Sequence, residues 1–299
     1  MLTSIIICTK DRKEDLFKTI ESIKAQTWKP DELIIIDASN KENFKEELLK
    51  TFDSLNIKYL RTPPGLTKQR NLGVQVSSGD IVVFFDDDVI LNRDYLSYIM
   101  AIFTDDRENK VGGVMGKIIN INTNSLRFKL IQLYSKIFFL TSEGNGKLKL
   151  SGFPTHPFTL NFDKPSEVEV LSGCQMAYRR EVFQYEMFDE LFSTYSYLED
   201  VDFSYRIFKR GYKLIYQPKA LIEHRTSSIS RLPKRERKKM FIINYFYLLK
   251  KICQPNFVKW LCFIWAQIGL FIQACISLKL ENILGILDGW KSILIKNQR

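Results

Sequence analysis

Gly79-Asp80-Ile81-Val82-Val83-Phe84-Phe85-Asp86-Asp87-Asp88 organises the reading of the whole chain. Five apolar residues in a row after Gly-Asp describe a strand buried on both faces, as in a parallel sheet covered by helices. Three adjacent carboxylates at its end repel one another unless a cation compensates. In an open α/β sheet, ligands bind at the carboxyl ends of the strands. A divalent cation holding a diphosphate suits that position, because oxygen ligands favour Mg²⁺ or Mn²⁺. The plainer alternative is a solvated acidic turn after a core strand.

The sequence upstream repeats the same unit. Ser4–Cys8 is a second buried strand, followed by a helical pattern over Asp15–Gln26 with Leu16, Ile20 and Ile23 on one side. Leu33–Ile36 is a strand ending at Asp37, Phe44–Phe52 a helix, Ile57–Leu60 a strand and Thr67–Val76 a helix after a Pro-Pro-Gly turn. Strands alternating with helices of this length predict an α/β fold built on a mainly parallel, Rossmann-like sheet with helices on both faces. No Gly-x-Gly-x-x-Gly follows the first strand and no Walker-type phosphate loop occurs, which disfavours dinucleotide-dependent dehydrogenases and nucleoside triphosphatases of that kind.

Composition narrows the class. With 299 residues, 45% of them hydrophobic and 26% charged, the chain is long and apolar enough to bury a large core. Its net charge of +10 is unevenly placed. Residues 1–224 carry 30 basic and 31 acidic side chains, whereas residues 225–299 carry 14 and 3. An anionic partner is therefore expected for the last quarter alone. The five cysteines lack any Cys-x-x-Cys spacing and read as reduced core residues of a cytosolic protein. No signal peptide is expected, because the short Leu2–Cys8 run is followed at once by charge.

Three strands end in polar residues: Thr9-Lys10-Asp11-Arg12, Asp37-Ala38-Ser39-Asn40 and Asp86-Asp87-Asp88. A parallel sheet brings such ends to one edge. Asp11 and Asp37 are candidates to accept hydrogen bonds from a base or ribose, and Lys68, Arg70 and Asn71 to meet phosphate or ribose near a helix start.

Ser4–Arg12, Ile34–Ser39, Arg70–Gly73 with Ser78–Asp80, and Phe84–Asp88 together resemble glycosyltransferase family 2, inverting enzymes of the GT-A fold. The resemblance continues in order through Leu171–Phe183, Phe188–Glu190, Glu199–Arg206, Gly211–Lys213 and His224, covering about residues 3–225. Its flavour is that of bacterial or archaeal transferases for surface polysaccharides, with a rhamnosyltransferase-like shading. Donor-side roles go to Thr9, Asp11, Arg12, Asp37, Lys68, Arg70, Asn71, Asp86 and Asp87. Asp88 is the expected direct metal ligand, and Asp86 stands on the ribose, the metal or a metal-bound water. Asp87 either assists or points away, since alternate residues of extended chain face opposite sides. Glu199-Asp200 precedes an amphipathic helix, where acids often serve as caps or dipole partners. The resemblance instead implies a general base at Asp200 with Glu199 beside it. It also implies a diphosphate contact or third metal ligand at His224. Gly173 permits close approach of a sugar, or simply makes a turn.

The expected organisation is a catalytic domain over 1–225, with a nucleotide half at 1–120 and an acceptor half at 121–225, followed by a helical tail over 226–299. Ser125–Leu140 has a single apolar stripe, for which core packing is the default expectation. The glycines at 144, 146 and 152 suggest a lid beside the acceptor. Arg231–Lys239 is strongly basic, and Trp260–Leu278 runs 19 residues without a charge, the length of a spanning helix. Cys262, Ala266, Gly269, Gln273 and Ser277 nevertheless form a small or polar face, and Ile283, Leu287, Trp290 and Leu294 an amphipathic stripe. These features predict helices lying on or dipping into the cytoplasmic face of the cell membrane, with the basic cluster over residues 231–299 on anionic lipid and no nucleic acid. A buried core helix or homo-oligomer contact is the alternative.

The expected reaction moves a sugar from a nucleotide-diphosphate donor to a glycan or lipid-linked acceptor. A sugar-phosphate nucleotidyltransferase fits less well, because it would need glycine within Cys8–Arg12. A catalytically silent membrane scaffold fits less well than an enzyme while Asp86, Asp88, Glu199 and Asp200 are intact.

Overall fold

A computed structural model describes residues 1–40, 44–121, 126–141, 146–155, 163–192, 197–227, 229 and 231–296. The chain divides into two compact units: residues 1–121 with 161–230, and residues 122–160 with 231–299. Residues 122–160, assigned from sequence to the acceptor half, thus cluster with the tail.

The first unit is built on one mixed sheet. Its strands are β1 (Thr3–Thr9), β2 (Glu32–Asp37), β3 (Ile57–Arg61), β4 (Ile81–Asp86), β5 (Val89–Leu91), β6 (Val111–Ile118), β7 (Ser166–Val168), β8 (Gln175–Arg179) and β9 (Lys213–His224). Helices α1 (Lys13–Lys24), α2 (Lys45–Thr51), α3 (Leu66–Val76), α4 (Tyr95–Asp105) and α6 (Glu199–Lys209) belong to this unit. The strand order is β3-β2-β1-β4-β8-β6-β9-β5, with β7 paired to β9. From β3 to β4 every pairing is parallel, and β8 then runs antiparallel to both β4 and β6. Ile5, Ile6 and Ile7 of β1 and Ile34, Ile35 and Ile36 of β2 are fully buried, as continuous apolar strands covered on both faces must be. α1 seats Leu16, Ile20 and Ile23 in that core.

Two features of this sheet position the site. Strand order reverses at β1, with β2 on one side and β4 on the other, so the carboxyl ends of β1 and β4 flank a crevice. Beneath α6, Phe188 and Phe203 stack with ring centroids 4.4 Å apart, and Tyr178 and Phe183 close around Phe203. Truncating an aromatic in such a cluster costs about 3–5 kcal/mol. At the opposite edge, Glu32 accepts hydrogen bonds from the Ser4 hydroxyl (2.6 Å) and the Ser78 amide (2.6 Å), and pairs with Lys58 at 2.6 Å. Burial alone would raise its carboxyl, but these donors outweigh it and hold the group down at about 2.

The second unit is helical: α5 (Leu126–Ile137), α7 (Lys234–Ile252), α8 (Phe257–Ile276) and α9 (Leu280–Lys296). The Asn256 side chain caps α8 by accepting from the Lys259 amide at 3.0 Å. Gly269 lets α5 approach α8 closely: a Cβ there would lie 2.4 Å from that of Phe138. Tyr134 donates to the Gly269 carbonyl at 2.6 Å, and Phe138 stacks on Trp265 with centroids 4.9 Å apart. The small face expected on α8 is realised in part, since Cys262, Ala266 and Gly269 are buried while Gln273 and Ser277 are exposed. The apolar stripe departs from the core expectation along α5, where Leu126, Leu130, Leu133 and Ile137 are exposed, and meets it only at Leu140, which is buried. Helical periodicity identifies a stripe, but only a neighbouring element can cover it. Residues 142–145, which include Gly144 of the expected lid, lie outside the described residues.

Candidate active site

Asp86 closes β4, and Asp87 and Asp88 form the turn into β5. Their side chains divide as strand alternation requires. Asp87 points back toward β1, accepting from the Thr9 hydroxyl at 2.7 Å and from Arg12 at 2.9 Å. Burial raises its carboxyl to about 7 against the opposing pull of Arg12 and Thr9. Asp86 and Asp88 face the other way and meet His224, the last residue of β9. His224 Nε2 stands 3.1 Å from Asp88 Oδ1 and 3.8 Å from Asp86 Oδ2.

One potential ligand atom from each of Asp86, Asp88 and His224 falls within 4.8 Å of the others. Asp88 is buried, and its Oδ1 accepts no hydrogen bond of normal geometry. Its Oδ2 accepts from the Ser227 amide at 2.7 Å. Burial opposes ionisation of Asp88, yet His224, the Ser227 amide and Arg12 together hold its carboxyl below the usual range. Burial would likewise lower the His224 imidazole, but Asp88, Cys174 and Asp86 raise it to about 11. The cluster therefore draws positive charge strongly. Two carboxylates and an imidazole gathered around one buried carboxylate oxygen fit a divalent cation such as Mn²⁺ or Mg²⁺. β5 pairs Val89 with His224, and Asn120 brackets the same residue by donating to its carbonyl (2.8 Å) and accepting from its amide (3.2 Å).

A second acidic pair opens α6. Leu198 takes a left-handed conformation (φ 71°) before the helix, which sets Glu199 and Asp200 in its first turn. Asp200 Oδ2 accepts from the Gly173 amide at 2.6 Å and Oδ1 from the Val201 amide at 2.9 Å. Gly173 eases this approach, because a Cβ would lie 3.1 Å from Asp200 Oδ2 and 3.3 Å from Arg70, a tight fit that would make these side chains give slightly. Burial raises the Asp200 carboxyl, with Arg70 and the two amides opposing it. Glu199 rises to about 7 through burial and the charge of Asp200, moderated by Arg70.

Arg70 joins the two acidic groups. From α3 its guanidinium is buried, pairs with Glu199 at 2.8 Å, donates to the Gly173 carbonyl at 3.0 Å and reaches Asp86 Oδ1 at 3.7 Å. It also lies over the Phe188 ring, 5.4 Å from the centroid. Sequence reading places Arg70 on phosphate or ribose; the structure places it between acid clusters drawn from β4 and α6.

The remaining candidates fall into three situations. Thr9 and Arg12 stand at the cluster through Asp87, and Arg12 also donates to the Ile229 carbonyl at 2.9 Å. Asp37 is fully buried and held by Ser39 and Tyr59, and Asp11 accepts from the Asn40 amide at 3.2 Å in a left-handed conformation (φ 53°). Asn71 clips the Phe188 backbone, accepting its amide at 3.0 Å and donating to its carbonyl at 2.9 Å, while Lys68 is exposed on the first turn of α3. Sequence reasoning passed over Asn120 and Ser227. Their only signal is adjacency to a strand end and to His224, because Ser227 acts through its own amide and the Asn120 side chain bonds only to the His224 backbone.

Residues 4–185 match the model of Glycosyl transferase family 2. The chain belongs to that family. It is 28% identical over 120 residues to a glucosyl-dolichyl phosphate glucuronosyltransferase of Haloferax volcanii, the match covering 38% of each protein. This chain thus spans well under half the length of that relative. The solved structure of GalNAc-T7 with UDP, GalNAc and Mn²⁺ superposes with a TM-score of 0.61 at 19% identity, over 84% of this chain and 48% of that one. A mannosyltransferase of Pyrobaculum calidifontis with GDP-Man and Mn²⁺ superposes with a TM-score of 0.57 at 16% identity, over 98% and 80%. At these identities the superpositions establish the GT-A fold.

Proposed function

We propose that the protein is a metal-dependent, inverting glycosyltransferase that moves a sugar from a nucleotide-diphosphate donor to a hydroxyl of a glycan or lipid-linked acceptor. The observation that carries this reading is the link through Arg70 between the Asp86–Asp88–His224 cluster and the Glu199–Asp200 pair. Asp88, Asp86 and His224 would hold the cation, which when bound neutralises charge developing on the leaving diphosphate. Family membership and the Mn²⁺-containing complexes of the structural neighbours support that assignment.

Asp200 serves as the general base. The acceptor oxygen attacks the anomeric carbon as its proton passes to the Asp200 carboxylate, while the bond from the anomeric carbon to the diphosphate oxygen breaks. A single displacement of this kind inverts configuration. The Gly173 and Val201 amides fix the orientation of the carboxylate, and burial raises its proton affinity. Arg70 compensates Glu199 and screens Asp200 from the Asp86 side.

The reading places the enzyme at the cytoplasmic face of a membrane, and the basic, apolar helices of the second unit support the membrane-surface part of it. Among the described residues one helix, Phe257–Ile276, is long and apolar enough to cross a bilayer.

The deciding experiment is a thermal-shift screen of nucleoside diphosphates with and without Mn²⁺, followed by product analysis with the matching nucleotide sugar. Stabilisation that needs metal, and release of free nucleoside diphosphate, are expected. Release of pyrophosphate would show nucleotidyl transfer instead. A flat response from folded protein would remove the nucleotide site altogether.

A further inference from the structure

The inserted helix α5 presents Leu126 (73% exposed), Leu130 (59%), Leu133 (58%) and Ile137 (55%) along one side. Their spacing of four, three and four residues keeps them on a single face. The neighbouring side of α5 is already used, with Tyr134 bonded to the Gly269 carbonyl and Phe138, just past the helix end, stacked on Trp265. α8 has its own exposed stripe, including Leu261 (50%), Ile264 (51%) and Ile268 (40%). The two stripes meet at Trp265, whose indole N–H donates to the Ile137 carbonyl at 2.8 Å. A continuous apolar face therefore runs across two helices from separate parts of the sequence, and soluble monomers rarely leave so much uncovered.

The charges around this face identify its occupant. Neither α5 nor α8 contains an acidic residue. α5 carries Lys129 and Lys136, and Lys259 and Lys279 bracket the uncharged core of α8. An apolar face with a cationic fringe matches the acyl boundary and headgroups of an anionic bilayer. The buried side of α8 limits how deep it sits. Cys262, Ala266 and Gly269 are covered by protein, and Gln267 accepts from the Trp290 indole at 2.9 Å. Only one face of α8 is available to lipid, as in an interfacial helix lying about 5–10 Å into the headgroup region.

Building on the membrane-surface reading above, we infer that α5 and α8 together form a monotopic docking face for anionic phospholipid bilayers, with the insert contributing an essential half.

Flotation of the purified full chain with vesicles of phosphatidylcholine, with and without phosphatidylglycerol, tests this. The wild type should float with the anionic vesicles and far less with the neutral ones. The double substitution Leu130→Glu/Leu133→Glu should weaken partitioning roughly tenfold or more, since two leucines leave the apolar phase and two carboxylates face anionic lipid. The same variant should keep the wild-type thermal shift with nucleoside diphosphate and Mn²⁺, which shows that the first unit still folds. If that variant floats like the wild type while Leu261→Glu/Ile264→Glu does not, the α5 half is overturned and the membrane reading stands. Wild-type protein that ignores both vesicle types overturns both. A wild-type dimer that dissociates on the α5 substitution, with no flotation, makes a second copy the occupant and also overturns the assignment.

Discussion

In the first unit charge is inside; in the second unit apolar surface is outside. Asp87, Asp88 and Arg70 are each 3% exposed, whereas Leu126 and Phe257 are 73% and 76% exposed. Both regions depart from the ordinary distribution of residues, in opposite directions. Buried charge carries a desolvation penalty of several kcal/mol per ion unless it is well paired. Exposed leucine invites association. Neither arrangement is what fold stability alone would select, which is why we read the first as a site for a cation and a nucleotide and propose lipid as the occupant of the second.

If the buried acids are kept for chemistry, removing them should damage activity more than folding. The largest effect is expected from Asp88→Ala, with sugar transfer falling more than about 10³-fold and the Mn²⁺-dependent thermal shift disappearing. An intact metal-dependent shift would remove Asp88 from the metal site. Next is Asp200→Asn, which should lower transfer about 10²–10⁴-fold while sparing donor binding by thermal shift. Near-normal transfer would move the base to another carboxylate.

Arg70→Met inverts the pattern. It strands Glu199 in a buried site without its cation, so a stability loss of about 3–5 kcal/mol is expected in denaturant titration. Glu199 already titrates at about 7 beside Arg70 and rises further without it, so the loss should be greatest above neutral pH and smaller from neutral pH downward, where Glu199 takes up a proton. Insensitivity to pH would show that Arg70 acts by packing on Phe188 rather than by charge.

Glu32→Gln is the smallest effect and serves as the contrast, because this acid lies at the sheet edge away from the site. A loss of roughly 1–3 kcal/mol with normal transfer is expected. Glu32 titrates at about 2 in the folded chain, below its ordinary value of 4.5, so its contribution is complete above that ordinary value. It fades as pH falls toward 2, and the variant should lack that part of the acid-unfolding slope. Reduced transfer in this variant would erase the distinction between structural and functional buried charge.

Much of the first unit was legible because its signals are local. The run Ile81–Phe85 and its three acids are contiguous, and each of the first four strands lies within a residue or two of its sequence reading. Polar strand ends converge because parallel strands deliver them to one edge. The sharing of charge was not legible. Arg70 and Glu199 are 129 residues apart, and the Ser227 amide that steadies Asp88 is 139 residues away and has no side-chain signature. Asn71, a donor-side candidate from sequence, clips the Phe188 backbone, a pairing 117 residues apart.

For α5 the boundary between sequence and structure is sharpest. Its period is a property of the chain and follows from 3.6 residues per turn. Whether that stripe is core or surface depends on what folds against it, and Phe138 and Tyr134 take the contact with α8 while the leucines remain outside. The amino-acid order alone determined the strands, the acid cluster at the end of β4 and the cationic bias of the tail, because each rests on neighbouring residues. Tertiary structure alone decided that one arginine serves two acid pairs and that an inserted helix shares an apolar face with the tail. Both depend on distances between residues far apart in the chain, which local propensity does not encode.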